Sequence, residues 1–218
     1  MKEKVVEEES LEDLKRIQEE CGYSGIGIVV TGGYAVRFYT RRTMRFTKDL
    51  DFLVKEKDLE RLKGVLKRIG YEVKDRPHGL TGFRRVGRTP ISLNVGIKDV
   101  EGVDRTVEPY FGQGSVKAKV VEIEDLLLFK ARAGRERDLI DICILLLDSF
   151  KEIEFDKLKE KNRKAKEELT EKLKFLLDSI GSKKLRSVWE DFMGRKIEKK
   201  EEKELWKKLT RLRKKLPE

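Results

Sequence analysis

Two neighbouring segments carry residue types suited to phosphate chemistry. In the first, the β-branched run at 26–30 ends in Thr31-Gly32-Gly33 and passes into the helically spaced Tyr34-Ala35-Val36-Arg37. Glycines let a backbone approach a ligand closely, and a helix N-terminus offers N–H groups to phosphate. The second segment is Arg45-Phe46-Thr47-Lys48-Asp49-Leu50-Asp51-Phe52. Residues 49–54 alternate as a strand, which puts Asp49 and Asp51 on one face with Cα atoms roughly 6–7 Å apart. Two carboxylates held together repel, and a divalent cation between them relieves the repulsion. Mg²⁺ (or Mn²⁺) takes carboxylates together with phosphate oxygens and water, so the pair of segments suggests metal-assisted phosphoryl or nucleotidyl transfer. Either one alone is weak, since a diglycine is ordinarily a turn and a DxD on an edge strand a solvated face. Their order within a strand–turn–helix–strand unit carries the reading.

The surrounding elements follow from periodicity and punctuation. Ser10, followed by Leu11-Glu12-Asp13, predicts a helix N-cap, with the helix running to about Glu20 and stopping near Gly22. Residues 57–70 predict an amphipathic helix with Gly70 just past its end. Three short strands are expected within 71–97, and loop with strand over 107–123. A helix over 124–134 ends at Gly134, and a second apolar helix begins near Glu136. From Lys151 onward the periodicity is helical, with breaks at Gly181 and Gly194. The order β-α-β-α-β-β-β followed by helices predicts an α+β (α/β-like) core over 1–150 and a basic helical region over 151–218.

Composition narrows the class. Of 218 residues 38% are hydrophobic and 42% charged, but the apolar residues recur in periodic blocks, which argues for a folded chain. No stretch approaches the ~20 apolar residues of a membrane span, and the first residues lack a signal-peptide core. Cys21 and Cys143, far apart and outside any CxxC grouping, read as core thiols of a cytoplasmic protein. The net charge is +10, and residues 151–218 carry 23 bases against 15 acids. That surplus suits either a nucleic-acid surface or a solvated face with i,i+4 pairs. Few side-chain amides (Gln18, Gln113, Asn94, Asn162) beside many Lys, Arg and Glu is a composition associated with hyperthermophiles. His78 has no Ser or Cys partner that the sequence can place near it, which argues against a hydrolase triad. Arg84, Arg85 and Arg88 read as a solvated hairpin, and Trp189, Phe192 and Trp206 as core at helical spacing.

Gly32-Gly33 followed by Arg45-x-Thr47-x-Asp49-x-Asp51 resembles the signature of nucleotidyltransferase-fold proteins, in particular the AbiEii-like group. Asp125-Leu126-Leu127-Leu128-Phe129-Lys130 and the later Arg137-Asp138-Leu139-Ile140-Asp141 are similar to that group's downstream motif. The resemblance covers residues 25–150 and implies the nucleotidyltransferase fold, a small mixed sheet flanked by helices. It implies a nucleoside triphosphate bound by Gly32, Gly33, Arg37, Arg45, Thr47, Lys130 and Arg137, and a metal held by Asp49 and Asp51. Lys130 matches a lysine placed on the triphosphate, and Asp138 and Asp141 match residues at or bracing the active site. It also makes RNA, a tRNA end among the choices, a reasonable acceptor, and an antitoxin protein a reasonable partner, with no membrane involved. One departure stands out. Active members of the superfamily usually carry a third carboxylate on a later strand, and the matching stretch here, Ile91-Ser92-Leu93-Asn94-Val95, has Asn94 in its place. The missing acid is then Asp99 or Asp104 in another alignment, or Asp138 or Asp141 from the helices, or catalysis has been lost.

Overall fold

The computed structural model describes residues 2–41, 43, 46–87, 89–108 and 115–216. Arg45, expected at the nucleotide, Gln113 and Arg88 lie outside the described residues. The chain divides into two compact units, Met1–Phe38 with Phe46–Glu122, and Tyr39–Arg45 with Ile123–Glu218.

In chain order the first unit carries α1 (Lys2–Tyr23), β1 (Ile28–Thr31), α2 (Gly32–Tyr39), β2 (Leu50–Val54) and α3 (Leu59–Arg68). Then come β3 (Glu72–Arg76), β4 (Gly79–Val86), β5 (Thr89–Ile97), β6 (Gly102–Val107) and β7 (Val116–Val121). The strands form one mixed sheet in the order β3-β4-β5-β2-β1-β7-β6. β1 runs antiparallel to β2 and parallel to β7, while β2 runs parallel to β5. A parallel pair needs a long crossover, which α3 and the β3–β4 hairpin supply between β2 and β5. Leu50, Phe52 and Val54 of β2 and Ile91, Leu93 and Val95 of β5 are buried. The period of two therefore leaves Asp51 and Asn94 on the opposite face. α1 contributes Leu11, Leu14, Ile17 and Cys21 to the core at helical spacing and touches α3, β5 and β7.

The expected N-cap at Ser10 is corrected by the structure. α1 begins at Lys2, and Ser10 is buried inside it, donating to the Glu7 carbonyl at 3.0 Å and meeting the Tyr34 hydroxyl. The acidic run before Ser10 is helical because Glu7 is neutralised by Arg37 and Glu9 by Arg84. Arg84 also reaches Asp13, which accepts from the Tyr71 hydroxyl at 2.6 Å, so this arginine ties the hairpin to α1 instead of lying solvated. β6 was not foreseen: Gly102-Val103-Asp104-Arg105-Thr106-Val107 has adjacent polar residues and no clean alternation, and it pairs only with β7 at the sheet edge.

The second unit is helical, with α4 (Ile123–Ala133), α5 (Glu136–Ser149), α6 (Phe155–Glu160), α7 (Arg163–Ser179), α8 (Lys183–Met193) and α9 (Lys199–Lys215). The composition change near residue 150 falls within it, at the end of α5. α5 is apolar nearly all round, and Leu139 to Leu147 are all buried, as a helix of that kind must be. It touches α4, α8 and α9. Asp148 at its end accepts from the Arg41 and Thr43 amides and the Thr43 hydroxyl, which fastens the segment after α2 to this unit. α8 stops at Gly194, whose φ of +64° is the left-handed geometry that glycine adopts without a Cβ penalty. Cys21 and Cys143 are buried free thiols, each pushed up to about 12 chiefly by burial.

Trp189 is core, but Phe192 is 39% and Trp206 51% exposed. In α9 the stripe Leu205, Leu209 and Leu212 is the buried one, and Trp206 lies beside it among charged residues. Among the described residues no helix is long and apolar enough to cross a membrane.

Candidate functional site

Gly32 of the diglycine and Asp51 of the aspartate pair meet in the first unit. Thr31, the last residue of β1, stands opposite Asp51 of β2, so the chain turns into α2 directly beside the Asp51 side chain. Gly32 has φ +66°, and a Cβ built there would sit 1.9 Å from Asp51 Oδ2 and 2.7 Å from Asp51 Cβ. Only a residue without a side chain lets the backbone and this carboxylate share the space.

On the other side of β2, β5 places Asn94 level with Asp51, and Asn94 Nδ2 donates to Asp51 Oδ1 at 2.9 Å. Asn94 is thus the residue beside the acid in this register. Asp99 pairs instead with Lys55 at 2.9 Å, and Asp104 is on β6, separated from β2 by β1 and β7. Asp49 lies one residue before β2 and, like Asp51, is half-buried. Burial pushes the Tyr34 hydroxyl up to about 12, and the Glu7 and Asp49 charges add smaller contributions in the same direction.

Behind the turn, Arg37 and Thr47 are buried. Arg37, expected at the nucleotide, is committed elsewhere. The residue is 1% exposed, and its guanidinium pairs with buried Glu7, donates to the Glu108 carbonyl at 2.7 Å and lies 5.8 Å from the centroid of the Tyr34 ring. These contacts make it a brace between α2 and α1. Sequence reasoning missed Glu7, Ser10 and Tyr34 as supports of the turn. The one available signal was Tyr34 directly after the glycines, a polar-tipped ring that needs a partner when buried.

In the second unit, Lys130 of α4 and Asp138 and Asp141 of α5 form a buried cluster. Lys130 Nζ is 2.7 Å from Asp141 Oδ2 and 3.3 Å from Asp138 Oδ1, and both aspartates are fully buried. Asp138 also accepts from Arg135 Nε at 2.6 Å and from the Arg135 amide at 3.3 Å, which caps the start of α5. Burial alone would raise the Asp138 carboxyl, but the Arg135 hydrogen bonds and the Lys130 charge carry it below the usual carboxylate range. Arg137 is exposed.

The family model for the nucleotidyl transferase AbiEii toxin of type IV TA systems matches residues 21–211. The chain belongs to this family. Membership makes this AbiEii-family protein a nucleotidyltransferase and so a transferase. No curated protein matches the sequence. Among solved structures, an H. pylori protein described as a nucleotidyltransferase is 18% identical, with a TM-score of 0.59 over 99% of this chain and 97% of that one. At that identity the likeness concerns the fold, and it agrees with a nucleotidyltransferase fold here. A nucleotidyltransferase-like antigenic protein from Paracoccidioides brasiliensis is 17% identical, with a TM-score of 0.49 over 85% of this chain and 94% of that one. The lincosamide antibiotic adenylyltransferase LnuA, lincomycin-bound, is 18% identical, with a TM-score of 0.45 over 62% of this chain and 94% of that one.

Among the described residues of the AbiEii-family chain, no three His, Cys, Asp or Glu gather as a metal set. What Asp49, Asp51 and Asn94 offer is a few hard oxygen donors. That suits Mg²⁺, which takes one or two carboxylates and leaves its other positions to water and phosphate. The packing of Gly32 gives a direct test. Gly32→Ala must both hold a left-handed backbone and push Asp51 aside. It is expected to cost about 1–3 kcal/mol in urea unfolding, and to weaken Mn²⁺ binding by more than the stability loss accounts for. Unchanged stability would mean that the turn relaxes freely and does not fix Asp51.

Proposed function

We propose that the protein is a Mg²⁺-dependent nucleotidyltransferase that moves an NMP from an NTP to an acceptor hydroxyl, with RNA or a tRNA end as acceptor. In this reading it is the toxin of a toxin–antitoxin pair acting in the cytoplasm. The observation that carries it is the shared place of Gly32 and Asp51, where a helix start and a carboxylate face the same spot. The start of α2 would supply N–H groups for phosphate oxygens, with Gly32 and Gly33 opening the helix. Asp49 and Asp51 would hold the cation, which when bound neutralises charge on the transferring phosphoryl group. Asn94 positions the Asp51 carboxylate by its hydrogen bond. The acceptor hydroxyl attacks the α-phosphorus in line and pyrophosphate leaves, so catalysis rests on orientation and electrostatics. Lys130, Arg137, Asp138 and Asp141 would contribute through the second unit, Lys130 to the triphosphate and the aspartates by holding that lysine.

Incubation with Mg²⁺, each α-labelled NTP and bulk RNA tests the reading. Label on RNA supports it, and label on nothing with NTP still bound supports a second reading. That reading is a nucleotide- or RNA-binding protein without catalysis, and Asn94 favours it. A neutral amide beside Asp51 brings no charge to a cation and cannot take a proton from the acceptor. Asn94→Asp separates the two. It is expected to tighten Mn²⁺ binding by about tenfold through the added ligand charge. If transfer appears only in this variant, the natural chain is the binder.

A further inference from the structure

α9 has a face that the transfer chemistry leaves unused. Downstream of Glu204 the helix carries Lys207, Lys208, Arg211, Arg213, Lys214 and Lys215 and no acid. A helix C-terminus attracts cations in its last turn, which accounts for Arg213, Lys214 and Lys215. It accounts neither for Lys207, two turns earlier, nor for an indole 51% exposed between charged neighbours. Trp206, Lys207, Thr210, Arg211, Lys214 and Lys215 line an open groove of about 370 Å³. Lys208 is spent on Glu204 and the Leu147 carbonyl, and Arg211 lies 5.6 Å from the centroid of the Phe150 ring, which orients its guanidinium. From outside the helix, Asp156 feels the Lys215 charge and is already paired with Lys159 at 2.7 Å.

A planar aromatic set among cations is the chemistry that holds unpaired bases and their phosphates: the ring stacks a base and the cations follow the backbone. A duplex keeps its bases stacked inside and has no free face for the indole. We infer that the Trp206 groove of α9 binds single-stranded nucleic acid, by stacking one base on Trp206 while Lys207, Arg211 and Lys214 contact phosphates. Taken with RNA as the acceptor, on which this inference rests, the groove is where that RNA is held during transfer.

The test is binding, made in the Asp51→Asn background so that it is independent of catalysis. A fluorescently labelled oligoadenylate RNA of about 12 nucleotides is titrated and read by anisotropy and by quenching of tryptophan emission. Trp206→Ala is expected to weaken binding roughly tenfold and to abolish the quenching, since Trp189 is buried. Lys207→Gln with Lys214→Gln is expected to lower the salt slope by about 1.4, two contacts at ~0.7 each. Equal affinity for a duplex of the same length, or for anionic lipid vesicles, would overturn the inference, as would unchanged affinity in Trp206→Ala. Groove binding without any label transfer in the wild-type chain would sink the catalytic reading and leave the groove standing. Transfer to RNA that Trp206→Ala leaves untouched would do the reverse.

Discussion

Asp51→Asn is expected to lower transfer from NTP to acceptor by at least about a hundredfold while leaving the thermal midpoint nearly unchanged. The side chain is half-buried, and the amide has the same shape and keeps an oxygen that can accept from Asn94. The fold therefore loses little. What disappears is one of the two charges that would fix the cation, and several kcal/mol of transition-state stabilisation pass through that cation in metal-assisted phosphoryl chemistry. Isotope transfer per mole of enzyme, beside a melting curve of each protein, reads both quantities. Mn²⁺ affinity should fall in parallel, and NTP should still bind without metal through the turn at Gly32. Transfer that survives in Asp51→Asn would place the chemistry elsewhere in the chain.

The site's first unit was legible because its residues act through local rules. A diglycine needs no knowledge of distant packing to suggest a turn into a helix, and alternation alone puts Asp51 opposite the Leu50–Phe52–Val54 face. The family resemblance alone places Asn94 near the acids, since alternation gives the face of β5 but not its pairing with β2, which the register of the sheet supplies. Arg37 shows where such reading stops. An arginine just after a diglycine turn invites a phosphate contact, yet its partner is Glu7, thirty residues earlier and buried with it. Nothing in the local pattern of α1 announces that pairing. Long-range pairing also bears on Ser10: two of the acids before it, Glu7 and Glu9, are neutralised from α2 and β4, so the helix continues through them.

Trp206 failed for a different reason. Helical spacing gives the period of an apolar stripe but not its phase when two stripes compete. Leu205, Leu209 and Leu212 form one stripe, and Trp206 stands one residue off it. An indole counts as apolar in composition, so the leucines and the indole could not be ranked from sequence. Burial of one stripe ranked them.

Lys130→Met is expected to cost about 3–5 kcal/mol in urea unfolding, the usual loss when one partner of a buried ion cluster is removed. The lysine was expected at a triphosphate, where its loss would show in nucleotide affinity. Its position between Asp138 and Asp141 predicts that stability suffers first. Two fully buried carboxylates then lose the ammonium they share, while Asp138 keeps its hydrogen bonds from Arg135. Converting Asp141 to Asn in the same chain should recover part of the loss, because the second mutation removes a charge the first left uncompensated. The pH dependence carries the sign. Asp138 is held below its ordinary value, so its contribution is present above the unfolded carboxyl pKa of ~3.9 and fades as pH falls through the lower folded value. Without Lys130 that folded value rises toward the unfolded one, and the acid-side slope of stability should flatten. Full stability of Lys130→Met with weakened NTP binding would instead show a lysine free to serve the nucleotide, its carboxylate contacts dispensable to the fold.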